Sequence, residues 1–421
     1  MNAQAEITLK EPKDPTSVGC LPAPGEITTR VIRTLTEIEE IRPVWENWST
    51  HPNSDIDFFL MNLRNEAGNP RPYIIVVNRD GQPECMLVGR VAHRPVEFKI
   101  GYKTLFRPGA RVMGFVYAGL LGNINADTSR RLVDEVLACL KKGEAEAAFF
   151  MLLKKDAPLL GLLTSASPRS SRDHFVAFQA HRSMTVPASV EKFHQDLSAK
   201  VRRNQKWQAK RFLNEYAGDV RIKCIKTTAE LQFVIPDIER IAAKTYQRRL
   251  GVGFVDSPAM RERLHFEARQ GWLRVYLLYA AGKPCAFWIG AIYKGTFHSA
   301  FMGFDPWYAR HSPGMFLIMQ VLESFCDSAC REVRDIDFGH GDAQYKAVLA
   351  NRDWEEAPVY LFAPNIRGLR LALLRASTAL VDFGARKLLI ESGLLAKAKK
   401  VWRQRVRPVK AVCEVSDPPA D

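Results

Sequence analysis

Residues 303–346 read GFDPWYARHSPGMFLIMQVLESFCDSACREVRDIDFGHGDAQYK, and the fold is decided by how this stretch is parsed. It offers a strand end, a loop, a helix start, a second strand and a polar loop in succession. Ser312 stands at a helix N-cap position and Pro313 at the first helical position. Met315, Leu317, Ile318, Val321, Leu322 and Phe325 then keep helical spacing. A helix that starts at the end of a strand exposes unpaired N–H groups and a positive dipole end, which suits a phosphate or pyrophosphate. The next strand, 333–338, delivers Asp337, His340, Asp342, Tyr345 and Lys346 at or beyond its carboxyl end.

Working outward, 421 residues exceed one ordinary core and fit two domains plus tails. With 47% hydrophobic and 25% charged residues, the chain can build a large core. The net charge of +14 is concentrated in residues 200–211 and 367–410. Eight cysteines are scattered, several in apolar runs, as expected of reduced thiols in a cytosolic protein. Cys326 and Cys330 would share a helix face, but no His or Cys pair completes a zinc set, so no metal is expected. The first residues lack a signal-peptide pattern and no apolar run reaches the roughly 20 residues of a membrane span. A cytoplasmic protein, peripheral to the membrane's inner face at most, is expected.

Residues 1–26, rich in Pro, read as a flexible leader. A helix over 36–48, strands at 73–77 and 85–91, a helix over 129–142 and a strand at 147–153 follow. After a small-residue linker come a strand at 175–179, a long helix over 190–216, a strand at 220–225, a helix over 229–248 and three short strands. Gly81-x-Pro83 followed by Gly89 has the spacing of Gly282-x-Pro284 followed by Gly290, which reads as one α/β unit present twice. The expected fold class is α/β: two tandem units over 27–170 and 171–363, each a mixed, mostly antiparallel sheet flanked by helices. A basic helical tail over 364–421 ends the chain.

Four segments carry a family resemblance: Leu197-Ser-Ala-Lys-Val-Arg-Arg-Asn204, Phe304-Asp-Pro-Trp-Tyr308, Ser312-Pro-Gly314 and Asp337-Phe-Gly-His-Gly-Asp-Ala-Gln-Tyr-Lys346. With the order of elements, they resemble the GNAT acyltransferase superfamily. More narrowly they resemble its two-domain branch, the CelD-type proteins of polysaccharide biosynthesis, and their FemAB-like relatives. The resemblance implies GNAT-like domains of which the second is catalytic. It also implies an acyl-CoA co-substrate, acetyl-CoA first, in a gap between the fourth strand (296–302) and the fifth (333–338). The superfamily's pyrophosphate loop is matched here only by Gly314, while Arg310, His311 and Ser312 supply charge and a helix N-terminus for cofactor binding. FemAB-like relatives use aminoacyl-tRNA, so a tRNA donor is the alternative.

N-acylation needs a neutral amine, a stabilised oxyanion and a protonated leaving thiolate. Asp337 and His340 are the candidate bases, Tyr345 the candidate acid, and Asp342 either a catalytic group or a helix cap. Lys346 is placed to hold a substrate carboxylate or phosphate. In the basic helix Arg202, Lys206 and Lys210 recur on one face with Arg203 beside them. They form either a solvated face or a grip on a nucleotide-linked or lipid-linked amine substrate. No base-reading module accompanies the charge, so nucleic acid is not expected except tRNA under the alternative. In the tail, Ile366, Leu369, Leu373, Ala376, Leu380 and Phe383 keep helical spacing amid many Arg and Lys, which suits either an anionic membrane surface or packing on the catalytic domain. The function expected is N-acylation of an amino-sugar or related precursor of a cell-surface polysaccharide. A non-catalytic membrane module of polysaccharide synthesis is the rival from another class.

Overall fold

The computed structural model describes residues 25–101, 103–165, 168–249, 251, 253–327, 332–341 and 343–391. The first half contains β1 (Ile27–Ile32), α1 (Leu35–Glu40), α2 (Arg42–Trp48), α3 (Ile56–Asn65), β2 (Arg71–Pro72), β3 (Ile74–Arg79) and β4 (Gln82–Pro95). It continues through β5 (Phe98–Ile100), β6 (Lys103–Phe106), β7 (Gly109–Gly122), α4 (Ala126–Lys141), β8 (Ala147–Lys154), α5 (Pro158–Ser165) and β9 (Gln179–Thr185). Helices α6 (Val190–Asp196) and α7 (Ala199–Glu215) lead to β10 (Val220–Ile225), α8 (Thr228–Ala242), α9 (Tyr246–Arg249) and α10 (Pro258–Arg269). Then come β11 (Leu273–Ala280), β12 (Lys283–Tyr293), β13 (Thr296–Phe304), α11 (Pro313–Cys326), β14 (Asp335–His340), α12 (Gln344–Leu349), β15 (Arg352–Phe362) and α13 (Ile366–Glu391).

The halves repeat one unit, register by register. Ile32 pairs with Ile74 and Ile225 with Val275. Two residues past each first strand a threonine opens a helix with a full capping box, Thr34 with Glu37 and Thr227 with Glu230. Both hairpins turn on two consecutive left-handed residues, Asp80-Gly81 and Ala281-Gly282, the geometry that matches strand twist. Gly89 pairs with Phe115 and Gly290 with Ser299, each beside a register shift. In the fourth strands β7 and β13, Val112 pairs in parallel with Ala147, and Thr296 with Asp335. The four registers agree, so His298 and Asp337 correspond to Gly114 and Phe149. The first copy carries no ionisable pair at that place.

The last strand of each unit is exchanged. Strand β9, which follows the first unit, pairs with β14, while β15 pairs with β8, and β9 and β15 pair with each other. One 13-stranded sheet results, ordered β1-β3-β4-β7-β8-β15-β9-β14-β13-β12-β11-β10 with β2 beside β4. Helices α8, α10 and α11 bury Leu231, Ile238, Leu264, Leu317 and Leu322 against the second half, and α4 buries Leu132 and Val136 against the first. The seam is also polar: Tyr293 Oη donates to Asp55 Oδ2 at 3.0 Å and lies 3.2 Å from Ser49 Oγ.

Several expected elements differ. The helix expected over 36–48 is two helices, because Pro43 enters as α2 begins and cannot continue the ladder of α1. The helix expected over 190–216 breaks at Leu197-Ser198, where the Ser198 hydroxyl accepts the Val201 N–H and starts a new helix. The strand placed at 175–179 lies at Gln179–Thr185, and β1, β7 and β15 had no sequence counterpart. Among the described residues no helix is long and apolar enough to cross a membrane.

Candidate active site

The parallel ladder between β13 and β14 covers three pairs, Thr296–Asp335, Phe297–Ile336 and His298–Asp337, and then stops. Beyond His298, β13 continues paired with β12 alone and β14 pairs with β9. The two strands therefore part immediately above His298 and Asp337. Strand β13 also shifts register here: Phe301 faces Ile289 and Ser299 faces Gly290, which leaves Ala300 as the extra residue of a bulge. Gly290 permits this close packing, since a Cβ there would stand 2.4 Å from the Phe297 ring and 2.6 Å from the His298 carbonyl.

Below the gap lies a buried ionic network. His181 on β9 presents Nε2 to Asp337 Oδ1 at 2.6 Å and Nδ1 to Glu356 Oε1 at 2.8 Å. The Trp354 indole stacks on the His181 ring at 4.2 Å and donates to Glu356 Oε2 at 3.2 Å. Tyr117, in the β7 bulge, reaches the same Glu356 carboxylate at 3.5 Å. Burial by itself disfavours charge on His181, but bonds to two carboxylates overcome it and raise its pKa to about 9. His181 is thus an imidazolium donating from both nitrogens. Burial would likewise raise the Asp337 carboxyl, yet the His181 bond, with His298 nearby, holds it far below the usual range. Asp337 stays ionised, and its Oδ1 also accepts the Gly339 N–H at 2.7 Å.

His298 is the exception in this network. Its Nδ1 lies 3.4 Å from Asp337 Oδ2, out of hydrogen-bond alignment, and both of its ring nitrogens are buried without a hydrogen-bond partner. Among the described residues neither ring nitrogen is engaged in a hydrogen bond, so His298 is open to hydrogen-bond a molecule that enters the gap. The His51 ring of the first half meets His298 edge-on at 4.3 Å. Burial, then the neighbouring His298, pushes the His51 pKa well down.

Ligand atoms of His51, His298 and Asp337 lie within 4.8 Å of one another, a spacing a metal could use. The chemistry of the set does not fit. His51 Nδ1 accepts the Asn53 N–H at 3.0 Å, so the neutral ring carries its proton on Nε2 and has no free lone pair for a metal.

The residues expected from sequence are distributed as follows. Asp337 is at the base of the gap, and His340 is at the end of β14 with one side open to solvent; the protein packed on its other side, and then Lys346, lower its pKa. Lys346 donates to the carbonyls of His340 (2.7 Å) and Gly339 (3.3 Å), so it braces the loop; burial lowers its pKa to about 8. Tyr345 packs edge-on against Phe338 with ring centres 6.2 Å apart, and burial raises its pKa, keeping the phenol neutral. Asp342 lies outside the described residues.

At the start of α11, Ser312 is left-handed (φ 51°) and its side chain caps nothing, against the capping role expected of it. His311 is fully buried rather than presented to solvent. Arg310 donates to His311 Nε2 at 2.9 Å and forms an ion pair with Glu215, whose other oxygen lies 3.1 Å from His311. A carboxylate from the end of α7 thus already engages Arg310, the cation expected to meet a pyrophosphate. A Cβ at Gly314 would stand 3.3 Å from Phe304. Arg203, Lys206 and Lys210 are exposed, and Arg202 donates to the His194 carbonyl at 2.9 Å. No described hydrogen bond or ion pair joins these four cations to Asp337 or Tyr345.

His51, Tyr117, His181, His298, Trp354 and Glu356 were not anticipated. His298 had a visible signal, a lone imidazole inside an apolar strand. The others converge from positions up to 305 residues apart, between His51 and Glu356, and carry no local pattern.

Residues 199–347 match the family model described as Acetyltransferase (GNAT) domain. The match lies within the second unit and spans its α7 to α12. No curated protein matches the chain. Among solved structures, the chain is similar to FemX at 11% identity, over 77% of this chain and 96% of that one, with a TM-score of 0.50. It is also similar to a tandem GNAT protein from the clavulanic acid biosynthesis pathway (12% identity, 81% of this chain, 99% of that one, TM-score 0.44). A third is the C-terminal domain of a putative lysylphosphatidylglycerol synthetase from Agrobacterium fabrum (12% identity, 81% and 95%, TM-score 0.43). The match of 199–347 and the doubled β-α register give the fold class: α/β, with two tandem GNAT-like units.

Proposed function

We propose that this protein is an N-acyltransferase whose chemistry takes place where β13 and β14 part, with an acyl thioester, acyl-CoA, as donor. The observation that carries the reading is the His298–Asp337 pair at the last rung of the parallel ladder, with unpaired strand edge directly above it. The free imidazole nitrogen of His298 takes the proton of the acceptor ammonium. The amine nitrogen then attacks the thioester carbonyl, an N–C bond forms, the C–S bond breaks, and the second proton that nitrogen loses replaces the one given to the leaving thiolate. N–H groups on the free edge of β13 beyond His298 are suited to the oxyanion. The neutral phenol of Tyr345 is the candidate to protonate the departing thiolate. His181 and Glu356 position Asp337 and keep it ionised, and Asp337 orients His298. An amino sugar or related precursor of a cell-surface polysaccharide is the acceptor class we favour, on the resemblance of residues 304–346 alone.

A specific observation supports a second reading. Glu215 already neutralises Arg310 beside the helix start, while Arg203, Lys206 and Lys210 of α7 present exposed charge to a longer polyanion. That arrangement suits an aminoacyl-tRNA donor. Thermal denaturation of the full chain with acetyl-CoA, longer acyl-CoAs, free CoA and aminoacyl-tRNA separates the two. A CoA donor at 100 times its Kd raises stability by about 2.7 kcal/mol. Stabilisation by tRNA with a flat response to every CoA species refutes the acyl-CoA reading.

A further inference from the structure

Helix α13 packs one face on the protein and leaves the opposite face bare. Leu371 and Thr378 are buried, Arg375 Nε reaches Asp173 Oδ2 at 3.1 Å, and Asp382 accepts the Gly101 N–H at 2.8 Å. At about 100° per residue these four share one side of the helix. On the other side stand Ile366, Leu369, Leu373, Leu380 and Phe383, between 47% and 68% exposed, with Val381 at the margin. The β5–β6 hairpin packs on α13 through β5, on the side of Asp382, and leaves the stripe uncovered. Single exposed apolar side chains are ordinary, but a contiguous group of this size marks an interaction surface.

The charges identify the occupant. Arg367 and Arg370 flank one side of the stripe, Arg367 also lying 3.2 Å from Glu146. On the other flank, Arg169 and Arg172 line a shallow pocket with Leu373 and Ala376. Between Ile366 and Gly384 the single acidic residue is Asp382, on the packed side. The sequence after the helix adds Lys397, Lys399, Lys400, Arg403, Arg405 and Arg407. A second copy of the chain would bring like charges together along both flanks. The stripe of Ile366, Leu369, Leu373, Leu380 and Phe383 covers roughly 100° of the circumference, wider than the narrow a/d seam of a paired helix. A broad apolar face bordered by cations on both sides fits the interface of an anionic bilayer, entered side-on.

We propose that α13 is a membrane-docking helix. It lies in the plane of an anionic lipid surface, with Leu373 and Leu380 inserted and the flanking arginines at the phosphates. The catalytic domain would then work beside the bilayer whichever donor it uses.

The test is flotation of the full chain with vesicles of phosphatidylcholine alone and of phosphatidylcholine with 30% phosphatidylglycerol. Wild type is expected to float with the anionic vesicles and not the neutral ones. Both target side chains face solvent, so the double variant Leu373→Glu/Leu380→Glu should keep the wild-type melting temperature while its lipid partitioning drops roughly tenfold or more. Failure of wild type to bind anionic vesicles overturns the proposal, as does equal binding to neutral ones. Unchanged binding by the double variant overturns it too, since the basic tail would then act alone. Light scattering that shows a wild-type dimer, monomeric in the double variant and indifferent to lipid, assigns the face to a second copy and overturns the proposal.

Discussion

Raising the pH from 6.5 to 8 should weaken the fold measurably, because the His181 imidazolium joins the two exchanged strands. Its native pKa is about 9 against an ordinary value near 6.5, so between these limits the folded chain holds a proton that the unfolded chain has lost. A raised pKa gives stability that is fully present below about pH 6.5 and is lost as pH climbs through about 9. The side chain is 1% exposed, so solvent screening is slight. The loss between pH 6.5 and 8 comes to about 1.5 kcal/mol. Lys346 acts in the opposite sense, since its pKa is depressed to about 8; the unfolded chain then binds the extra proton above pH 8, and stability recovers there. The expected profile falls from pH 6.5 to 8 and then flattens. Urea denaturation at half-unit steps of pH, followed by tryptophan fluorescence, measures it; Trp354 stacks on His181 and reports the site. In Glu356→Gln the imidazolium keeps one carboxylate, so the fall should move to lower pH. A flat profile from pH 6.5 to 8, or one that Glu356→Gln leaves in place, refutes the assignment of His181 as a buried cation.

Two other predictions concern the gap itself. His298→Gln removes the proposed base at similar size and should lower the acyl-transfer rate roughly hundredfold or more at neutral pH. Activity should recover toward alkaline pH, where the acceptor amine is already neutral; a wild-type rate with an unchanged pH profile counts against the role. Gly290→Ala forces a Cβ against the Phe297 ring and the His298 carbonyl, so a loss of about 1–3 kcal/mol is expected in urea titration, and a neutral substitution would mean that the bulge is not tightly packed.

Residues of the second unit were the most legible. The strand–helix–strand reading of 303–346 matches β13, α11 and β14, because Pro313 and the period of the apolar residues act within one element. The repeat of the Gly-x-Pro spacing reflects two equivalent hairpins, and a further copy of the signal was present in the capping boxes at Thr34 and Thr227. Asp337 was visible as a polar residue at a strand end. Its partners were not, because a side chain such as Glu356 looks like any exposed carboxylate until β15 is laid beside β9.

The sequence by itself determined the local elements, their doubling and the polar loop after β14, since helix caps, turn residues and apolar periodicity act over a few residues. Only the tertiary structure decided which strands exchange between the halves, and hence that His51, Tyr117 and His181 meet His298, Asp337 and Glu356. It also decided that Glu215 engages the helix start and that the apolar stripe of α13 faces outward. Burial and strand order are properties of the whole sheet, and a charge such as that of His181 exists only where two distant carboxylates are brought to it.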